Sequence, residues 1–209
     1  MKALAALILA IVALSVSALA QGTIDFHNAN TFPVKVVDLS DGSVTTLGAP
    51  GSPLGPASVR VGLFVGPNGA TSISQMTMVG LTTNSASSVP LFVGTFNGGN
   101  PYTIIPSTPN ALVSFAFAAW SISTGAMTYQ EALTATFGGV GLSAIGNGYT
   151  LGGFGTPPSL PAATFGTPTV AQPWLINGFT ISYRPVPEPS TMVLVIAGAT
   201  AMWMLRRRT

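Results

Sequence analysis

The stretch "SVRVGLFVG" alternates: Val59, Val61, Leu63 and Val65 fall on one face, Arg60 and Gly62 on the other. Successive side chains of a strand point to opposite sides of the pleat, so this period means a strand with one buried face. The same pattern recurs along the chain. "ALVSFAFAAW" groups Val113, Phe115, Phe117 and Ala119, and "NGFTISY" groups Phe179, Ile181 and Tyr183. "TIDFHN" sets Ile24 and Phe26 against Asp25 and His27. Weaker strand candidates are "VKVVDL", "QMTMVG", "VPLFVGTF" and "GYTLGGF". Asp41-Gly42 between "VKVVDL" and "SVTTL" predicts a hairpin turn, and Pro67-Asn68-Gly69 ends the "SVRVGLFVG" strand as another. One segment departs from period two. Thr128 stands three residues before Glu131, a capping box that starts a short helix over "YQEALTATF", ended by Gly138-Gly139 and facing the sheet through Ala132, Leu133 and Thr136. Residues 137–159, Gly-rich and then Pro-rich, are expected as loop with room for one short strand. About eight short strands with turns between them predict a mainly β fold: an antiparallel two-layer β-sandwich, Ig-like or jelly-roll-like, with one short helix.

The chain can afford this core because it is 47% hydrophobic and only 6% charged, against a usual charged share of about a quarter. Its 24 glycines and 17 prolines supply turns rather than disorder, which goes with low hydrophobicity and high charge. The formal net charge of +2 comes from the ends: Lys2 at one, Arg206, Arg207 and Arg208 at the other. Between them lie Lys35, Arg60 and Arg184 against Asp25, Asp38, Asp41, Glu131 and Glu188. Three scattered bases make no patch for phosphates, so no nucleic-acid partner is expected. With no cysteine, disulfides, thiolate catalysis and Cys-based metal sites are excluded.

The ends read as targeting segments. Lys2 is a minimal positive region, residues 4–14 form a short apolar core, and Ala18-Leu19-Ala20 places small residues where a signal peptidase reads. Residues 1–20 are therefore expected to be a helical signal peptide cut between Ala20 and Gln21, with an uncleaved anchor helix as the competing reading. The body is expected over 21–183 and a linker over 184–190. The apolar run 191–205 would be about 22 Å long as a helix, short of the roughly 30 Å hydrocarbon core. Snorkelling arginines and the interfacial Trp203 let such a transmembrane helix span with local thinning. The basic tail 206–209 places the C-terminus in the cytoplasm and the body outside. Pro187 and Pro189 hold "VPEPS" extended just outside the membrane.

The order Val186-Pro187-Glu188-Pro189-Ser190, a short transmembrane segment, then Arg206, Arg207 and Arg208 resembles the PEP-CTERM sorting signal of Gram-negative-type bacteria. The resemblance covers about two dozen residues. It implies recognition by exosortase, a membrane-embedded cysteine transpeptidase-like enzyme, and cleavage near the Pro-Glu-Pro step. The nucleophile belongs to the exosortase and this chain is its substrate. The body would be anchored in the inner membrane, transiently or permanently, and then pass to the cell surface or an extracellular polysaccharide matrix. The alternative is an ordinary single-pass anchor after a proline-rich stalk. The body, through "GPASVRVGLFVGPNG", "ALVSFAFAAWSISTGAMTYQEA" and "LGGFGTPPSLPA", is also similar to secreted PEP-CTERM proteins of Verrucomicrobia-type bacteria. That similarity implies a fold of this kind and no chemistry.

The catalytic inventory is thin. His27 is the single histidine, on the polar face of its strand beside Asp25, and no G-x-S-x-G elbow exists. Asp41 is explained by its turn and Glu131 by its cap, which leaves Asp25 and Asp38 with nothing to tie them into a glycosidase pair. "DLSDG" lacks the further carboxylates of a calcium loop, zinc would need a second histidine, and "GGVGLSAIGNG" has no phosphate-loop spacing. No catalytic, cofactor or metal site is expected. Trp120, Trp174, Tyr102, Tyr129 and Tyr149 are candidates for a sugar-stacking platform or for core filling. The phase of Trp120, opposite to Phe115 and Phe117, leaves it either exposed or in a second core layer. The chain is thus expected to be a non-catalytic structural or adhesive surface protein, the alternative being a carbohydrate-binding module held in extracellular polysaccharide.

Overall fold

A computed structural model describes residues 21–153 and 158–186. The expected signal, transmembrane and basic segments lie outside them. Among the described residues no helix is long and apolar enough to cross a membrane.

The strands are β1 (Gly22–His27), β2 (Lys35–Asp38), β3 (Val44–Thr46), β4 (Val59–Pro67), β5 (Thr77–Thr83), β6 (Asn97–Ile104), β7 (Leu112–Ser121), β8 (Gly138–Leu142), β9 (Gly146–Thr150), β10 (Gly152–Gly153) and β11 (Thr180–Arg184). One short helix, α1 (Tyr129–Leu133), sits between β7 and β8. A three-stranded sheet runs β10-β1-β6. A larger sheet runs β3-β2-β11-β8-β7-β4-β5, with β9 also paired to β7. Two sheets sharing one core make a mainly β fold consistent with a β-sandwich. The expectation of an all-antiparallel arrangement is corrected at one place: β11 pairs β2 in parallel, Thr180 opposite Lys35 through Tyr183 opposite Asp38.

β7 is the centre of the fold. It lies antiparallel to β4 from Val59↔Ser121 to Pro67↔Val113. Phe115, Phe117 and Ala119 enter the core shared with Ile24 and Phe26 of β1 and Ile104 of β6. Ala118 and Trp120, half a period away, enter a second cluster with Ala126, Tyr129 and Ala132 at α1. Both faces of β7 are therefore covered, which explains why "AFAAW" is continuously apolar. Phe117 meets four other rings: Phe26 and Phe165 stacked at 5.9 and 4.8 Å, Phe96 at 5.6 Å and Phe115 at 5.7 Å. Offset and edge-on aromatic pairs add about 0.5–1.5 kcal/mol each beyond their buried area.

The two turns form as expected. Gly42 (φ 73°) closes β2 onto β3, and Ala70 N donates to Pro67 O at 3.1 Å. Thr128 Oγ1 accepts from Glu131 N at 3.2 Å. The Glu131 carboxylate returns to Met127 N at 2.8 Å, one residue beyond the position a reciprocal box would use. Three expectations for this helix are corrected. It ends at Leu133, not at Gly138, because Thr134 caps it with bonds back to Ala132 O and Glu131 O. Leu133 and Thr136 are exposed, and Tyr129 takes the inward position beside Ala132.

Two strand expectations also change. "VPLFVGTF" is a turn-rich loop up to the single bridge of Phe96 with Asn84. Residues 138–142, within the stretch expected as loop with room for one short strand, form β8 between β11 and β7. Its glycines admit the neighbouring strand: a Cβ at Gly141 would stand 2.5 Å from Thr180 O, and one at Gly139 would stand 2.7 Å from Ile181 Cγ2. β11 continues through Arg184, one residue into the stretch read as linker.

The account predicts that Phe117→Ala lowers unfolding free energy by about 3–5 kcal/mol, the usual range for emptying a buried phenylalanine site. The fully exposed Val170 should tolerate alanine within about 0.5 kcal/mol. Urea denaturation of both variants checks the contrast.

Candidate functional site

β10 pairs β1 only through Gly22 and Thr23, so among the described residues that side of β1 meets no strand beyond Thr23. Side chains meet Asp25 there instead. Thr164 Oγ1 donates to Asp25 O at 3.0 Å, and Asp25 N donates to Tyr149 Oη at 3.4 Å. Tyr149 Oη in turn donates to Ala162 O at 2.6 Å. Tyr149 is fully buried, and burial pushes its hydroxyl well above the ordinary tyrosine value. These contacts bury Asp25, which was expected on a solvated polar face. Its carboxylate meets Nδ1 of the half-exposed His27.

Burial holds the Asp25 carboxyl above the usual carboxylate range, while the bond and the charge of His27 oppose that rise. With Nδ1 turned to Asp25, Nε2 is the ring atom left for another partner. Across the sheet, the residue opposite His27 is Asn97, not a serine. No hydroxyl bonds the His27 ring among the described residues, and no three His, Asp or Glu side chains gather there to hold a metal.

His27 opens into a groove of about 520 Å³ between the end of β1, the end of β5 and the loop 85–95. Asn30, Thr82, Ser85, Asn97, Leu91 and Phe92 contribute to its walls, and among the described residues His27 is the only ionisable one lining it. Two buried asparagines hold the walls. Asn28 donates from Nδ2 to Gly94 O at 2.8 Å and to Phe32 O at 3.0 Å, and its Oδ1 accepts from Phe96 N at 2.7 Å. Asn84 accepts from Val59 N at 2.9 Å and donates to Gly55 O at 3.1 Å. Neither asparagine stood out in the sequence. Their bonds span 25 to 68 residues, apart from the one to Phe32, and no local pattern carries that information.

The sugar-stacking expectation for Trp120 is corrected. Its ring is 0% exposed in the second core layer and its Nε1 donates to Ala126 O at 3.1 Å, so it presents no face to a ligand. Trp174 is half-buried and edge-on to Tyr149 at 6.1 Å, and its indole N–H is buried without a protein partner among the described residues. Tyr102 bonds Val79 O at 2.7 Å and packs on Phe26, while Tyr129 packs on Phe64 and Trp120. The five aromatics therefore divide between two cores, Trp120 and Tyr129 in the cluster at α1 and Tyr149, Tyr102 and Trp174 at the inter-sheet core, and form no common platform. Gln21 is half-buried beside the start of β1, and Val186 is exposed. Ala18, Ala20, Pro187, Glu188, Pro189, Ser190 and Arg206 to Arg208 lie outside the described residues. No protein-family model, curated protein or solved structure matches the chain.

Because the fold favours protonated Asp25, its contribution to stability is full below the unfolded value of 3.8 and is lost as pH rises through the higher folded value. The stability of wild type minus that of Asp25→Asn should therefore shrink as pH rises from below 3.8 toward neutrality. Urea midpoints across a pH series measure it. A difference that is flat or grows would contradict the assignment.

Proposed function

We propose that the chain is an exported protein, sorted to the cell surface or an extracellular matrix through its tail, with a body that is a non-catalytic structural or adhesive β-sandwich of Ig-like or jelly-roll-like kind. The observation that carries this reading is the order of three unlike features: Val186-Pro187-Glu188-Pro189-Ser190, the apolar run 191–205, and Arg206 to Arg208. In this reading signal peptidase acts between Ala20 and Gln21, and the tail engages the inner membrane and exosortase. The body is anchored there until the tail is cut, and then leaves.

A non-catalytic body is supported by what its acidic groups already do. Asp38 accepts from Ser40 N at 2.8 Å, Asp41 accepts from Ser43 N at 2.8 Å, Glu131 caps α1 and Asp25 holds His27. Local bonds hold the carboxyls of Asp41 and Glu131 below the usual range, as expected of turn and cap acceptors rather than proton donors. The second reading, a carbohydrate-binding module, is favoured by one observation: the groove that His27 lines together with amides, hydroxyls and two exposed apolar side chains.

Replacing Pro187, Glu188 and Pro189 together by alanine tests the sorting reading in native cells. The wild-type body should leave the inner-membrane fraction, and the variant should stay there with its tail. Equal partitioning of the two would make the segment an ordinary stalk.

A further inference from the structure

The loop 85–95 carries a conflict that packing alone does not resolve. Leu91 is 60% exposed and Phe92 48% exposed, although they lie within five residues of the buried Phe96. The hydrophobic effect would draw both rings and chains inward if the backbone were free to follow. It is not free. Gly94 donates to Leu47 O at 2.6 Å and its own carbonyl accepts from Val34 N at 2.9 Å and Asn28 Nδ2 at 2.8 Å. Within the loop, Phe92 N donates to Val89 O at 2.8 Å and Thr95 Oγ1 donates to Phe92 O at 2.6 Å. Turning the tip inward would leave several of these buried polar groups unmatched. The apolar tip is thus held out beside the groove as a preformed wall.

The rest of the lining among the described residues is mostly polar and, His27 apart, carries no ionisable group. Asn30 is exposed, Ser85 is half-exposed, and Asn97 stands across from His27 with its Oδ1 fixed by Gly99 N at 3.0 Å. Planar amides and a hydroxyl can donate and accept toward neutral hydroxyl groups. Among the described residues no lysine or arginine lines the groove, so a phosphate, a sulfated chain or an anionic lipid surface would find no lysine or arginine counter-charge there. A purely apolar ligand would strand the amides. The ligand class that matches both parts of the lining has C–H faces to lie on Phe92 and Leu91 and hydroxyls to meet the amides.

We propose that this groove binds a segment of a neutral polysaccharide, with Phe92 as its stacking surface and Asn30, Asn97 and the Nε2 of His27 as its hydrogen-bonding partners. The proposal rests on the carbohydrate-binding reading and moves the contact from the tryptophans to the loop 85–95.

Affinity electrophoresis of the full chain, in a detergent without a sugar headgroup, tests it. Native gels would contain β-glucan, mannan, galactomannan or xylan, with alginate as the polyanion control. The expected result is retardation in at least one neutral gel that persists at high salt. The double variant Asn30→Ala, Phe92→Ala, altering two exposed side chains, should weaken it about tenfold, equivalent to about 1.4 kcal/mol. Trp174→Ala should leave it unchanged. Retardation that ignores the double variant overturns the groove while sugar binding stands. Retardation in alginate alone overturns the neutral-ligand assignment. No retardation in any neutral gel overturns both the groove and the carbohydrate-binding reading. A cooperative urea transition of the double variant, matching wild type, establishes that any loss is local.

Discussion

The contact on which the structure depends is the set of rings around Phe117. Phe26 comes from the small sheet, Phe115 from the same strand, Phe96 from the bridge after the loop 85–95, and Phe165 from the irregular segment before β11. One side chain thus touches four parts of the chain, and Phe96 in turn packs on Phe26 and Phe165. Fully burying a phenylalanine contributes roughly 1.5–3 kcal/mol, and a body with no disulfide has only such burial to hold it. The loop and the groove follow from this contact. Phe96 is anchored at Phe117, Asn28 is bonded to Phe96, and the tip of the loop is held by Asn28.

β7 sets a second constraint by facing two cores at once. Its odd positions serve the inter-sheet core and its even positions serve the cluster under α1. Arg60, opposite Trp120 in the neighbouring strand, donates to Ala126 O and so helps close the outer cluster rather than meeting a carboxylate. A basic residue on an outer sheet face therefore acts in packing through its stem and one backbone acceptor.

Strands whose faces are made of large side chains were legible. The alternations of β1, β4, β7 and β11 name their inward residues because Val, Ile, Leu and Phe mark every second position. β8 was not legible, because glycine leaves no side chain to mark a period, and the reason for its glycines is a neighbour far along the chain. "VPLFVGTF" misled for the opposite reason. It is apolar enough for a strand, but its backbone bonds go to Leu47 and Asn28, and Val89, Leu91 and Phe92 stay outside while Phe96 enters the core. The burial of Asp25 was equally hidden, since Tyr149 and Thr164, which cover it, lie 124 and 139 residues away. The polar face of β1 looked solvated because local alternation carries no record of what later folds across it. The groove shares this origin: its walls join three distant segments, and only His27 among its residues had been singled out as a candidate.

The functional account joins a body whose described acidic groups are engaged in its own turns, cap and β1 to a tail read as an address. Its central claim is that the body is separated from both ends of the chain. Intact-mass measurement of the protein from its native cells, with membrane, surface and medium fractions kept apart, tests that claim directly. The account predicts a surface or medium species that starts at Gln21 and ends near Pro187-Glu188-Pro189, and any added mass at its new C-terminus would identify an attached group. A species found only in the membrane fraction, still carrying Arg206 to Arg208, would contradict it.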